Sequence, residues 1–126
     1  MSIKIEISVG ELLDKITILE IKSERIEDKA KLININKEKA VLSTIWASVA
    51  NNDLVKETEE LKTVNESLWE IEDAIRDKER TKQFDEEFIE LARAVYITND
   101  KRASIKKVIN EKTGSDLIEE KSYQEY

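Results

Sequence analysis

The residues of this sequence that could do chemistry are carboxylates, lysines and tyrosines. The chain contains no histidine and no cysteine. It therefore lacks the commonest general base, the commonest transition-metal ligand and any thiolate nucleophile. The remaining options are catalysis by acidic side chains or magnesium bound by Asp and Glu. We expect no cofactor and favour a protein that is not an enzyme.

Magnesium is the first of these options to weigh. The pairs Glu57/Glu60 and Glu70/Asp73 have the ExxE and ExxD spacing that can present two carboxylates to Mg²⁺. Both pairs fall on one continuous predicted helix rather than on two helices that face each other. A glutamate-rich chain also produces such pairs by chance, so we predict no metal site.

Arg102 is the most informative charged residue because it lies on an apolar stripe, in line with Leu91, Val95 and Ile109. A buried arginine is costly unless it is paired, so a carboxylate or amide partner is expected. If the chain reverses at about residues 82–83, helical rise predicts which side chains lie level with one another. The predicted pairs are Asn65 with Asn99 and Arg102, Trp69 with Tyr96, and Glu72 with Arg93, with Arg76 as a further candidate.

Two interpretations of this cluster remain open. A polar layer can fix helix register, as a single buried Asn does in coiled coils, and we prefer this interpretation. Arg102→Leu is then expected to be neutral or stabilising. Alternatively, Arg93 and Arg102 supply charge to a small anion-binding pocket that Tyr96 or Trp69 closes.

The elements that would position these residues are long helices. Apolar residues recur at steps of three and four through Leu54 to Arg80 and again through Phe84 to Lys112. Two such helices joined by a few residues form an antiparallel hairpin. We predict one all-α domain, 1–126, an antiparallel bundle of about four helices built on this C-terminal hairpin. The predicted helices span about 9–28, 30–50, 54–80 and 86–112, the tail spans 115–126, and a turn lies at 51–53.

The N-terminal segment carries a different pattern. Ile3, Ile5 and Ile7 alternate with charged residues, which predicts a short β-strand at 3–7. A lone strand is not stable, so it must pair with the tail or with the same segment of a second copy. In the first helix, Ile18 and Ile21 lie opposite the main apolar face, so this helix is either central in the domain or shared with a partner. The five isoleucines are candidate interface residues.

Charge and hydropathy limit the partners. The net charge is −7, which disfavours nucleic acid. No apolar run approaches the roughly 20 residues of a membrane span, and the N-terminus has no signal-peptide pattern. We expect a cytoplasmic protein.

Four blocks in order resemble a family of short, uncharacterised bacterial proteins that carry a domain of unknown function. The blocks are VGELLDKITILEIK at 9–22, LWEIEDAIRDKE at 68–79, LARAVYITNDKRASIKKVIN at 91–110 and GSDLIEEKSY at 114–123. The resemblance implies that the tail belongs to the folded domain. Some members of that family occur near genes for cell-surface polysaccharide and glycosyltransferase work. It supplies no catalytic residues.

Two functions follow as hypotheses. The first is a non-enzymatic helical module that forms a homodimer or binds another protein. The second is a binding protein or enzyme for a phosphorylated or sugar-nucleotide ligand, which would use the cluster around Arg102.

Overall fold

Four α-helices make up the computed structural model, which describes residues 1–49 and 53–126. They are α1 (Val9–Arg25), α2 (Lys29–Val49), α3 (Val55–Arg80) and α4 (Glu86–Thr113). The all-α prediction is confirmed. The last residue of the predicted second helix and the first two residues of the predicted turn, 50–52, lie outside the described residues. None of the described helices is both long enough and apolar enough to cross a membrane.

Side-chain caps set most of the helix starts. The Glu11 amide donates to Ser8 Oγ at 3.2 Å, the Lys31 amide to Asp28 Oδ1 at 3.1 Å, and the Phe88 amide to Asp85 Oδ1 at 3.0 Å. α4 ends at Gly114, whose φ of 63° is the left-handed conformation that favours glycine. α1 ends at Arg25, earlier than predicted, because Ile26 turns to an extended conformation ahead of the Asp28 cap.

The predicted β-strand at 3–7 is wrong. Residues 1–8 form no strand, and the side chains of Ile3 and Ile5 are exposed. The tail, which was the possible strand partner within the chain, instead lies along α4. Glu119 binds Lys106 there at 3.1 Å, and the hydroxyl of Tyr126 donates to Asp100.

α1 is the central helix because it packs against α2, α3 and α4. It supplies most of the buried apolar residues, namely Leu12, Leu13, Ile16, Leu19 and Ile21. Of the two candidate interface residues in this helix, Ile21 is buried within the chain and Ile18 is half-buried. The second apolar side of α1 is thus covered by the chain's own helices.

The start of α1 is attached to the end of α4. The Gly10 amide donates to Asn110 Oδ1 at 2.7 Å, and the Val9 amide donates to Ser115 Oγ at 3.2 Å. These bonds satisfy donors that the first turn of a helix leaves free. A Cβ at Gly10 would lie 2.6 Å from the carbonyl oxygen of Lys106, so only glycine permits this approach.

The hairpin of α3 and α4 extends well beyond α1. At 1.5 Å per residue, α1 is about 25 Å long and α3 about 39 Å. The ion pairs of α1 with α3 end at Glu70, which Arg25 reaches at 3.4 Å. No residue from 71 to 95 is fully buried, so this outer part of the hairpin is a two-helix arm. At its tip, Lys78 binds Asp85 at 3.0 Å and Glu87 at 3.1 Å.

α2 lies outside the other three helices. Among the described helices its backbone packs against α1 alone, although the Trp46 side chain reaches the core cluster of Leu13, Leu54, Leu61 and Ile109. The predicted bundle is thus present in part: α1, α3 and α4 pack together, and α2 covers one side of α1.

Gly10→Ala tests the close approach of α1 and α4. We expect it to lower the free energy of unfolding by about 2 to 3 kcal/mol, the cost of overpacking, because the new methyl group meets backbone. Gly114→Ala is the matched control, with an expected loss of about 1 kcal/mol from backbone conformation alone. Urea denaturation of both variants measures the difference. A Gly10→Ala variant as stable as the wild type would contradict this packing.

Candidate functional site: a buried ionic layer

A fully buried carboxylate lies where α1, α3 and α4 meet. Asp14 of α1 has no solvent exposure. Its Oδ1 accepts from Asn65 Nδ2 of α3 at 2.8 Å and from Arg102 Nε of α4 at 3.0 Å. Its Oδ2 accepts from Arg102 Nε at 3.1 Å and from Nη2 of the same guanidinium. One acidic side chain therefore connects all three helices.

Lys106 and two further carboxylates extend this cluster towards the solvent. Lys106 Nζ donates to Glu11 Oε2 at 2.6 Å and to Glu119 Oε2 at 3.1 Å, and lies 3.8 Å from Asp14 Oδ2. We call this cluster the ionic layer. Its members are Glu11, Asp14, Asn65, Arg102, Lys106 and Glu119.

The charge of the layer follows from these contacts. The hydrogen bond with Asp14 raises the pKa of Arg102. For Lys106, burial lowers the pKa, but hydrogen bonds to Glu11 and Glu119 outweigh it and the net shift is upward. Hydrogen bonds from Lys121 and Lys106 lower the pKa of Glu119. By formal charge, three carboxylates face two cations, so the layer carries one net negative charge.

Asp14 was not among the residues predicted to pair with Arg102. In the sequence it lies four residues before Ile18 and seven before Ile21, and this position on an apolar line of α1 is the signal that could have identified it. It shares a helix face with Gly10 and Thr17, and the Thr17 hydroxyl donates to its own helix at Leu13 O, 2.8 Å away.

The structure brings together three of the predicted site residues. Asn65 and Arg102 both bind Asp14, and Arg102 Nη1 lies 3.5 Å from Asn99 Oδ1. Arg102 does have the expected carboxylate partner. That partner comes from α1, whereas the predicted partners lay across the α3–α4 hairpin.

The predicted pair of Glu72 and Arg93 does not form. Glu72 Oε2 accepts from Arg76 Nε on its own helix at 3.1 Å. Arg93 is exposed and makes no ion pair with any residue in the described ranges. Both residues lie on the arm, beyond the reach of α1.

Trp69 and Tyr96, predicted to lie level with each other, each contact a different residue. The Arg25 guanidinium lies 6.0 Å from the centre of the Trp69 ring, within reach of a cation–π interaction. Tyr96 packs edge to face on Tyr126 of the tail, with ring centres 5.2 Å apart. The tail thus supplies an aromatic contact that helical rise alone could not predict.

A cavity of about 690 Å³ lies beside the ionic layer, between α4 and the tail. Its walls include Tyr96, Asn99 and Arg102 from the predicted site, together with Lys106 and Glu119. The cations in its wall already face carboxylates, so an incoming anion would have to displace them. In the described ranges, no group of three or more acidic side chains is placed to hold a metal ion.

The fold and site together define an all-α protein with a buried ion pair at the junction of three helices. The chain belongs to DUF6165, a family of unknown function, whose model matches residues 3–126. Comparisons with curated proteins and with solved structures gave no match.

Arg102→Leu tests the role of the ion pair. On the sequence alone, this variant is expected to be as stable as the wild type or more stable. The structure predicts a less stable variant, because Asp14 has no solvent exposure and would lose its main partner. We expect a loss of about 3 kcal/mol in the free energy of unfolding. This is the lower end of the range for a broken buried pair, because the Arg102 side chain is 28% exposed.

The double variant Asp14→Leu/Arg102→Leu is the control. It removes both charges, so it should be more stable than Arg102→Leu alone. Denaturant midpoints of Asp14→Leu, Arg102→Leu and the double variant measure this coupling. Strictly additive losses would contradict the pairing.

Acid should destabilise the fold. Four carboxylates have a lowered pKa, namely those of Glu24, Glu57, Asp85 and Glu119. In each of them the largest cause is a hydrogen bond from a lysine. Each binds protons more weakly in the folded chain than in the unfolded chain. Their contribution to stability is complete above the ordinary glutamate pKa of 4.5 and is lost as the pH falls through the lowered values.

Thermal unfolding from pH 7 to pH 3 measures this effect. We expect Tm to decrease as the pH is lowered below about 4.5. Lys112→Gln should flatten part of the fall, because Lys112 makes the largest contribution to lowering the Glu57 pKa. A Tm that is constant over this range would contradict the assigned pairs.

Proposed function

We propose that this protein is a non-enzymatic helical interaction module that binds another protein through the outer face of α2. The observation that carries the proposal is the exposure of large apolar residues on a helix whose backbone packs on α1 alone among the described helices. Ile33 is 70% exposed, Val41 56% and Ile45 47%. The opposite face of the same helix, with Ile35 buried and Trp46 partly buried, packs inward.

The second half of α2 has no charged side chain. Every residue from Ala40 to Val49 is uncharged, although 39% of the whole chain is charged. A helix that is apolar on all sides is characteristic of a helix buried on all sides. The composition of α2 therefore suits a second covering layer.

Two of the three hydroxyl groups on this half of α2 are bonded within the helix. Thr44 Oγ1 donates to Ala40 O at 2.9 Å, and Ser48 Oγ donates to Ile45 O at 2.7 Å. Covering these two hydroxyls would therefore leave neither donor unpaired. Burial of this face by a partner thus carries little polar cost.

The alternative, a phosphorylated or sugar-nucleotide ligand at Arg102, has weaker support. Arg102 and Lys106 are engaged by Asp14, Glu11 and Glu119, and the layer has a net negative charge. An anion would have to compete with buried carboxylates that are already in place. The contacts of the ionic layer support a structural role in fixing helix register.

Ile45→Lys tests the proposed docking face. A tagged chain expressed in the cells that naturally make it should run in native extract as a complex larger than its own 14.6 kDa. The charged variant should run as a free chain, because a lysine ammonium cannot be covered by an apolar partner without cost. Analytical gel filtration of the extract, followed through the tag, measures this shift.

Ile89→Lys is the matched control. Ile89 is 52% exposed, close to the 47% of Ile45, but lies on α4. It carries the same change of charge and should leave the complex intact. Equal behaviour of the two variants would remove the case for α2.

A further inference from the structure

We infer that the partner on the outer face of α2 is a second copy of this chain, whose own α2 lies antiparallel to the first across a two-fold axis near residues 44 and 45. This inference rests on the proposed docking function of α2 and names the occupant of that face. Three independent observations support it: the accessible area, the shape of the α2 surface and the distribution of charge.

The accessible area is too large for a compact monomer. The chain exposes 9206 Å². A compact monomer of 14.6 kDa is expected to expose about 6,900 Å². The excess of about 2,300 Å² is above the ~800 Å² that each partner buries in a standard interface.

The outer face of α2 fits a copy of itself. Val41, Ile45 and Val49 form a ridge at steps of four residues. The neighbouring line, Ala40, Thr44 and Ser48, has small side chains and forms a groove beside that ridge. Ridges at steps of four pack into the corresponding grooves of a second helix, and a two-fold axis lets each copy supply both.

Charge also favours a second copy. α2 contains Lys29, Lys31, Lys37 and Lys39 but only Glu38, so it carries a net charge of +3 in a chain of −7. The rest of the chain is therefore strongly acidic. A lysine-bearing helix end placed against that acidic remainder would reduce the repulsion between two identical, negatively charged chains.

The same charges favour the antiparallel arrangement. A parallel pair would place the two lysine blocks side by side. In an antiparallel pair, the lysine half of each α2 lies next to the other copy's Asp53 and the first turns of its α3, where Glu59 and Glu60 are exposed beside Lys56. Antiparallel helix dipoles add a further favourable term.

Single-cysteine variants test the arrangement, because the chain has no cysteine of its own. Thr44→Cys lies near the axis and should form a disulfide with itself under mild oxidation, since bridged Cα atoms lie about 4.4 to 6.8 Å apart. Val41→Cys and Ser48→Cys should each stay uncrosslinked alone and become linked when the two are mixed. Ser67→Cys, exposed on α3, is the control and should not crosslink.

The mass of the unmodified purified chain is the second readout and depends on no variant. Light scattering should give twice 14.6 kDa, and Tm should rise with protein concentration.

Self-crosslinking of both Val41→Cys and Ser48→Cys would overturn the antiparallel pair in favour of a parallel one. A purified monomer would overturn the second copy altogether. If Ile45→Lys still dissociated a complex in extract, the docking function would stand with an unlike partner; if it did not, both proposals would fail.

Discussion

The charge of Asp14 is the constraint on which the rest of the structure depends. A carboxylate without solvent exposure is tolerated only if other groups replace its water, and here Asn65 and Arg102 do so from two other helices. Sliding any one of α1, α3 or α4 along its axis would separate the carboxylate from a donor. The ion pair therefore fixes the register of the three helices, while the small apolar cluster around Leu61 and Ile109 supplies the non-directional part of the stability.

This arrangement also determines which parts of the surface remain available. The cations of the ionic layer are engaged by carboxylates, and the arm has a charged surface with only a half-buried seam. α2 differs, because it lies outside the three connected helices and its second half is uncharged. A three-helix core that carries on its outside one helix with an uncharged second half is the physical basis of the proposed docking function.

Much of this fold could be predicted from the sequence because its signals are local. The caps at Ser8, Asp28 and Asp85 set helix starts, and the spacing of apolar residues predicts the α3–α4 hairpin. The strand at 3–7 was wrong because alternation is only a local pattern, and the tail, one of its two candidate partners, binds α4 instead. Asp14 could not be predicted as the partner of Arg102, because periodicity within one helix does not show how α1 crosses the hairpin.

The most direct test of the ion pair is NMR detection of the Arg102 Nε–H group in ¹⁵N-labelled protein. Because this group donates to both oxygens of a buried carboxylate, its proton should exchange with water far more slowly than the Nε–H of Arg80, whose side chain is 72% exposed. The Asp14→Asn/Arg102→Lys variant, which lacks this guanidinium, assigns the signal. If the Nε–H of Arg102 exchanged as fast as that of Arg80, the guanidinium would lie in water, and the ion pair with Asp14 could not fix the register of the three helices.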